Sequence, residues 1–267
     1  MKEAVNKFYI ENTKVKSVDE WTDYEKGTVI YEVLKIINGK PLFYEEHYKR
    51  MLNSFNIKSV VLNISEGELL SYINKVAKIN NVLNGNIKII YIVEQKELRI
   101  YFIKHSYPTP EMYKEGVKCI SYFAKRDNPS AKVINSKLRE DVNNKLRIEK
   151  AYEAALVNDE GLITEGSRSN MFFIKENNIY TSEGKSVLPG VTRTEIFKQA
   201  KESKINLNEV KIPLININQY EAAFISGTSP NILPIQCIDD VRFNVNNLIL
   251  RKIINDFNNR IEKYINK

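Results

Sequence analysis

Two stretches decide how this chain is read. They are Thr164-Glu165-Gly166-Ser167-Arg168-Ser169-Asn170, set directly before the apolar run Met171 to Ile174, and Leu188-Pro189-Gly190-Val191-Thr192-Arg193 further along. A carboxylate held between two strands is expensive to bury without a cationic partner. One that faces a pyridine ring keeps the ring nitrogen protonated, which makes the ring an electron sink. The plainer alternative for Glu165 is a surface-turn glutamate. In the second stretch a glycine and a hydroxyl residue stand at a helix start, where free backbone N–H groups and the helix dipole favour an anion. An ordinary N-cap uses the same residues. Thr192 with Glu195 has the spacing of a capping box, which predicts a helix running through Ile196 and Ala200. Beyond it, a strand around Ala223 to Ile225 leads into the small-residue loop Ser226-Gly227-Thr228-Ser229-Pro230, although turns draw on the same residue types.

Working towards the N-terminus, residues 28 to 36 (TVIYEVLKI) are β-branched and aromatic, and Asn38-Gly39 then predicts a tight hairpin. From Glu45 the apolar spacing Tyr48, Met51, Leu52, Phe55 is helical and carries Arg50. Ser65 with Glu68 predicts a second capping box, ahead of Leu69, Leu70, Ile73 and Val76. Strands are expected at Ile87 to Val93 and Leu98 to Ile103. The segment from His105 to Gly116, with Pro108 and Pro110 and no periodicity, reads as a linker.

A strand follows at Val117 to Phe123, then the loop Ala124 to Ala131 with Asp127, Asn128 and Pro129. Leu138, Val142, Leu146 and Ile148 mark an amphipathic helix. Strands are expected at Glu153 to Val157, Met171 to Lys175 and Ile179 to Thr181, and a last helix carries Leu250, Ile253, Ile254, Phe257 and Ile261 on one face. Helices and strands mix without regular βαβ alternation, so the fold class is α+β. Two domains are expected, at residues 1–110 and 117–267.

The 267 residues are 43% hydrophobic and 27% charged, inside the globular range. The formal charge of +7 could serve nucleic acid, an anionic surface or an anionic ligand. The basic residues are interspersed with acidic ones, without an arginine-rich tail, so nucleic acid is not expected as a partner. Cys119 and Cys237, each followed by an isoleucine, read as buried thiols with no metal-ligand spacing around them. The start Met1-Lys2-Glu3-Ala4 has no signal-peptide core, and no run approaches the ~18 apolar residues of a membrane span. The expectation is a cytoplasmic protein with no membrane partner.

The tract E-G-S-x-S-N, then L-x-G-[IV]-T-R, then S-G-T-S-P, in this order, resembles the signature of the fold-type IV pyridoxal-phosphate enzymes. That family includes branched-chain and D-amino acid aminotransferases and aminodeoxychorismate lyase. Y-E-V-L-K-I-I-N-G-K with E-E-H-Y-K-R-M-L resembles its first-domain strand, hairpin and helix, so the likeness covers nearly the whole chain. It implies two α/β domains of the D-amino acid aminotransferase-like fold with pyridoxal 5'-phosphate between them, in a homodimer.

The same resemblance implies roles for single residues. Glu165 would pair with the pyridine nitrogen, Arg50 would hold the phosphate, and Val191, Thr192 and Thr228 would donate to it. Two lysines compete for the covalent link to the cofactor. Lys132 is favoured over Lys137 because the family lysine precedes a K-x-x-N stretch ahead of the Y-E-A strand, and Lys132-Val133-Ile134-Asn135 with Tyr152 matches that pattern. Tyr31 matches an aromatic position on the substrate side, and the backbone of the Thr228-Ser229 loop is expected to hold the substrate carboxylate.

The chain also departs from family patterns. Glu25-Lys26-Gly27-Thr28 replaces a glycine-rich G-D-G. No arginine lies in Tyr91 to Glu97, where D-amino acid enzymes carry a carboxylate trap. Glu32 stands where the lyase has threonine. Glu32 favours transamination over the lyase, and the missing arginine weighs against D-amino acid specificity; the expected activity is an aminotransferase acting on an amino acid, branched-chain-like or D-amino acid, and a 2-oxo acid. The alternatives are a pyruvate-releasing aminodeoxychorismate lyase and a catalytically inactive binding module of the same fold.

Overall fold

The computed structural model describes residues 3–23, 27–126 and 129–267. They divide into two units: one takes in residues 1–106, 131–134 and 262–267, the other residues 107–130 and 135–261. The first contains β1 (Ala4–Glu11), β2 (Lys14–Ser17), β3 (Val29–Ile37), β4 (Lys40–Pro41), α1 (Tyr44–Ile57), α2 (Glu66–Ile79), β5 (Gly85–Ile92) and β6 (Glu97–Ile103). Its sheet has the order β2-β1-β6-β5-β3-β4. Asn38 and Gly39 take the positive φ angles that the turn into β4 requires. Ser65 and Glu68 form the expected box: each side chain accepts the other's backbone N–H, at 3.3 and 2.9 Å.

Strand side chains alternate between the two faces of a sheet. Ile30, Leu34, Ile36, Ile87, Ile89, Ile100 and Phe102 therefore pack against Met51 and Phe55 of α1 and Leu69, Ile73 and Val76 of α2. Each such buried side chain contributes about 1.5–3 kcal/mol. The opposite face carries Val29, Tyr31, Ile90, Ile92 and Tyr101. Residues 131–134 lie along β3 as an extra antiparallel segment, with Val133 opposite Ile30. Tyr31 N–H donates to the Lys132 carbonyl at 3.0 Å and Ile134 N–H to that of Val29 at 3.1 Å.

The second unit runs through α3 (Pro110–Glu115), β7 (Val117–Phe123), α4 (Ser136–Glu149), β8 (Glu153–Val157), β9 (Leu162–Gly166), β10 (Asn170–Lys175), β11 (Asn178–Thr181), α5 (Val191–Glu202), β12 (Leu207–Glu209), β13 (Ile212–Pro213), β14 (Ala222–Gly227), β15 (Asn231–Ile238), β16 (Val241–Arg242) and most of α6 (Leu248–Ile265). The sheet order is β12-β11-β10-β14-β15-β7-β8-β9-β13, with β16 paired to β15. Phe173, Ile225, Leu233 and Ile235 sit in its main core, while Val142 and Leu146 of α4 pack on Ile120, Ala154 and Leu156. An antiparallel sheet in the first unit and a mixed sheet in the second, each with helices, are the α+β architecture the sequence pattern implies.

Several local expectations are corrected. Thr192 and Glu195 form no capping box, because α5 is capped by Gly190, which puts Thr192 already inside the first turn. Glu195 is buried instead against Arg260 Nε and Lys198 Nζ, each at 2.6 Å. The stretch read as a linker contains α3, with Thr109 as its N-cap and Pro110 in its first turn. Six residues are too few to show a helical period. Ile148 does not share the buried face of α4 and is 72% exposed. Cys119 is buried, whereas Cys237 is only partly so. The strands at 4–17, 162–166 and 231–238 are not marked by the pattern. Glu25, Lys26, Asp127 and Asn128 lie outside the described residues. Among those described, no helix is long and apolar enough to cross a membrane.

Candidate active site

In the first unit, the alternation along β3 sends consecutive residues to opposite sides of the sheet. Glu32 points to α1, where it meets Arg50 and His47, one helical turn apart. Its Oε1 accepts Arg50 Nε at 2.8 Å, and its Oε2 accepts Arg50 Nη2 at 2.7 Å. His47 Nδ1 lies 2.9 Å from Oε2. Burial raises the pKa of this enclosed carboxyl, but the charge and fork of Arg50, aided by the His47 hydrogen bond, outweigh it and bring the value down to about 2. Burial also depresses His47 below the ordinary histidine range, partly opposed by its bond to Glu32. Arg50 is thus a buried, oriented cation rather than a solvated helix residue, the plain alternative for a lone arginine.

Tyr31 projects the other way. Lys132 Nζ stands 4.6 Å from the centre of its ring and Lys88 Nζ 5.7 Å from it. The backbone of Lys132 is held independently of its amine. Its N–H donates to Ser54 Oγ at 3.1 Å, and that hydroxyl donates in turn to the Arg50 carbonyl at 3.0 Å. Ser54, fully buried on α1, therefore ties the Lys132 segment to the helix of Arg50. Lys137 is exposed on the first turn of α4.

In the second unit, Glu165 is buried in β9. Oε1 accepts Arg126 Nη1 at 2.9 Å and Oε2 accepts the Leu188 N–H at 3.0 Å. Asn170 Nδ2 donates to the Leu188 carbonyl at 3.0 Å. Its Oδ1 comes so near Gly190 that a Cβ there would lie 2.1 Å away, so a larger residue at position 190 would displace the Asn170 side chain. The α5 N-terminus has no side-chain cap and no acidic residue in its first turn, and both Val191 and Thr192 are buried there. Asn170 is the cross-strand partner of Ser226, whose buried hydroxyl has no hydrogen-bond partner among the described residues. Thr228 and Ser229 are partly buried in the turn from β14 to β15. Arg193 is a structural clip, donating to the Ser182 carbonyl at 2.9 Å and to Glu209 at 2.7 Å.

Each unit therefore gathers part of the set read from the sequence: Tyr31, Arg50 and Lys132 in the first, Glu165, Val191, Thr192, Thr228 and Ser229 in the second. Arg126, Ser54 and the buried role of Glu32 are additions. Nothing in the sequence marks Arg126, a single arginine inside the loop read at Ala124 to Ala131.

The sequence model of the family described as amino-transferase class IV matches residues 29–238. The chain belongs to the class IV aminotransferase family. A D-alanine aminotransferase of Staphylococcus aureus is 30% identical over 263 residues, covering 91% of this chain and 90% of its own. A branched-chain aminotransferase of Thermoproteus uzoniensis, solved with norvaline, superposes with a TM-score of 0.87 at 20% identity, over 98% of this chain and 98% of its own. A Legionella pneumophila protein described as a 4-amino-4-deoxychorismate lyase superposes with a TM-score of 0.81 at 22% identity, over 90% and 97%. At such identities the solved structures share the fold.

Class IV aminotransferases use pyridoxal 5'-phosphate. The residues present fit it. Uncapped helix-start amides and an unpartnered buried hydroxyl suit a phosphate, and a buried carboxylate suits a protonated ring nitrogen.

Proposed function

We propose that this class IV aminotransferase family member moves an amino group between an amino acid and a 2-oxo acid, with pyridoxal 5'-phosphate bound to Lys132. The observation that carries this reading is the placement of Lys132: its backbone is pinned to β3 and Ser54, and its amine stands 4.6 Å over the Tyr31 ring. Lys137, by contrast, is exposed.

Pyridoxal phosphate, when bound, supplies a carbonyl that condenses with amines and an electron sink for the electrons released at the substrate carbon. Each step then falls to a residue. Lys132 Nζ would hold the cofactor covalently, and its amine would carry the proton to and from the substrate carbon. The carboxylate of Glu165 would keep the ring nitrogen protonated. Arg50, Thr192 and Thr228 with the Val191 amide would hold the phosphate. Tyr31 lines the substrate side. Backbone N–H groups of Thr228-Ser229 take the substrate carboxylate, in place of the arginine missing between Tyr91 and Glu97. That arrangement favours L-amino acids with apolar side chains. The working form is a cytoplasmic homodimer.

The test is a panel of L- and D-amino acids added singly to the cofactor-loaded protein. One equivalent of 2-oxo acid per site, a lasting change in the cofactor absorbance, and its reversal by added 2-oxo acid are expected. Continuous pyruvate release from aminodeoxychorismate without that change would instead establish the lyase. Reaction with D-alanine but not L-leucine would overturn the L-preference and leave transamination standing.

A further inference from the structure

We propose that Glu153 is a positioning residue that fixes Glu165, acting through the turn that follows it; this rests on the role of Glu165 stated above. Glu153 opens β8 and is 3% exposed. Its carboxylate reaches the turn at residues 167–169. Oε1 accepts Ser167 Oγ at 2.5 Å, Ser167 N–H at 3.1 Å and Ala154 N–H at 2.8 Å. Oε2 accepts Ser169 Oγ at 2.9 Å and Arg168 N–H at 3.3 Å. No cationic side chain pairs with it among the described residues. A buried carboxylate without a counter-ion survives only if donors replace its water, and here the turn supplies them.

The dependence runs both ways. The turn's backbone bonds are three among the described residues, from Gly166 N–H to the Ser169 carbonyl at 2.8 Å, from Ser167 N–H to that of Ala154 at 2.9 Å and a long one from Ser169 N–H to that of Gly166 at 3.4 Å. Gly166, the residue after Glu165, is packed so closely that a Cβ would lie 2.1 Å from Ser169 Oγ and 3.2 Å from Glu153 Cδ. The backbone directly after Glu165, from Gly166 to Ser169, is therefore seated on the Glu153 carboxylate. A carboxylate that must meet a ring nitrogen loses its effect with small displacements, and its register is reported by the 3.0 Å bond it accepts from Leu188 N–H. Glu153 touches no reacting group. If it served the turn alone, loosening it would leave Leu188 unaffected.

Amide hydrogen exchange on the cofactor-free protein separates the two cases. In Glu153→Gln, whose amide nitrogen cannot accept from Arg168 N–H, the Leu188 amide is expected to exchange about tenfold faster, with Phe224 in β14 unchanged. Ser169→Ala removes one donor and leaves the rest, and serves as the second variant should Glu153→Gln fail to fold. In the loaded protein, Glu153→Gln is expected to slow the amino-acid half-reaction about tenfold. In a Glu165→Gln background the same change should cost less than about twofold, because both substitutions act through one group. Unchanged Leu188 exchange in a folded variant, or equal rate losses in both backgrounds, would overturn the proposal. A Glu165→Gln protein with full activity would instead overturn the role of Glu165, while the Leu188 result still decides whether Glu153 positions it.

Discussion

The carboxylate of Glu165 and the backbone N–H of Leu188 are joined by a 3.0 Å hydrogen bond, and Asn170 grips the carbonyl of the same Leu188 at 3.0 Å. The tract around Glu165 and the helix start after Leu188 are thus one assembly, clamped at a single residue through both its N–H and its carbonyl. The close approach of Asn170 to Gly190 completes it. Gly190→Ala forces Asn170 or the α5 start to move, at a cost of about 1–3 kcal/mol. The expected outcome is a lower melting temperature and a dissociation constant for pyridoxal phosphate raised about tenfold, measured by calorimetry and by fluorescence titration.

Lys132→Ala should abolish the borohydride-reducible link to the cofactor, and Lys137→Ala should leave it. Peptide mapping after reduction reads the result directly. A label on Lys137 would contradict the assignment, and with it the meaning given to the pairing of residues 131–134 with β3.

Glu165→Gln removes the charge proposed to meet the ring nitrogen, and also the partner of Arg126. A charged hydrogen bond contributes about 1.5–3 kcal/mol, so the half-reaction should slow by about 10- to 100-fold with cofactor still bound. Arg126→Met should restore none of that rate in the double variant. Rapid-mixing absorbance measures both.

Acid should destabilise the first unit through Glu32. Its folded-state pKa of about 2 lies below the ordinary value of 4.5, so its stabilisation is complete above about 4.5 and is lost as the pH falls towards 2. The effect is on the order of 3 kcal/mol. His47 adds in the same direction earlier: its depressed pKa favours the neutral folded form, and that contribution declines as the pH drops below the ordinary value of 6.5. Glu32→Gln should flatten the lower part of the profile and cost about 3–5 kcal/mol at neutral pH, because it takes the bidentate carboxylate away from buried Arg50. Urea midpoints across pH 2 to 7 test this, and an unchanged slope below about 4.5 would show that Glu32 is not the group responsible.

Much of this is legible from local pattern. Asn38-Gly39, the Ser65–Glu68 box and the alternation along residues 29–37 each encode their own geometry within a few residues. The same kind of reading fails at Thr192 and Glu195, where box spacing is present but Pro189-Gly190 starts the helix earlier and Arg260, distant in sequence, claims the glutamate. Arg126, Ser54 and Glu153 are illegible for a related reason. Their partners lie far along the chain or across a turn, and a single arginine, serine or glutamate has no periodicity to announce it. Glu32 shows a third case: the residue stands out, but which face of β3 it occupies, and so its bond to Arg50, follows only from the register of the strand.

The segment 131–134 has one more consequence, for how such a protein can be taken apart. The chain leaves the first unit at residue 106, comes back for four residues, departs again and returns at 262. A fragment ending at 106 would lack the strip that covers the edge of β3 beside Val29 and Tyr31, and with it the amine of Lys132. The two units are therefore not exchangeable cassettes. A chimaera joined at that boundary would have to import the residue at position 132 from the donor of the other half, so the strand and the lysine that pairs with it can only be inherited together if the cut falls elsewhere.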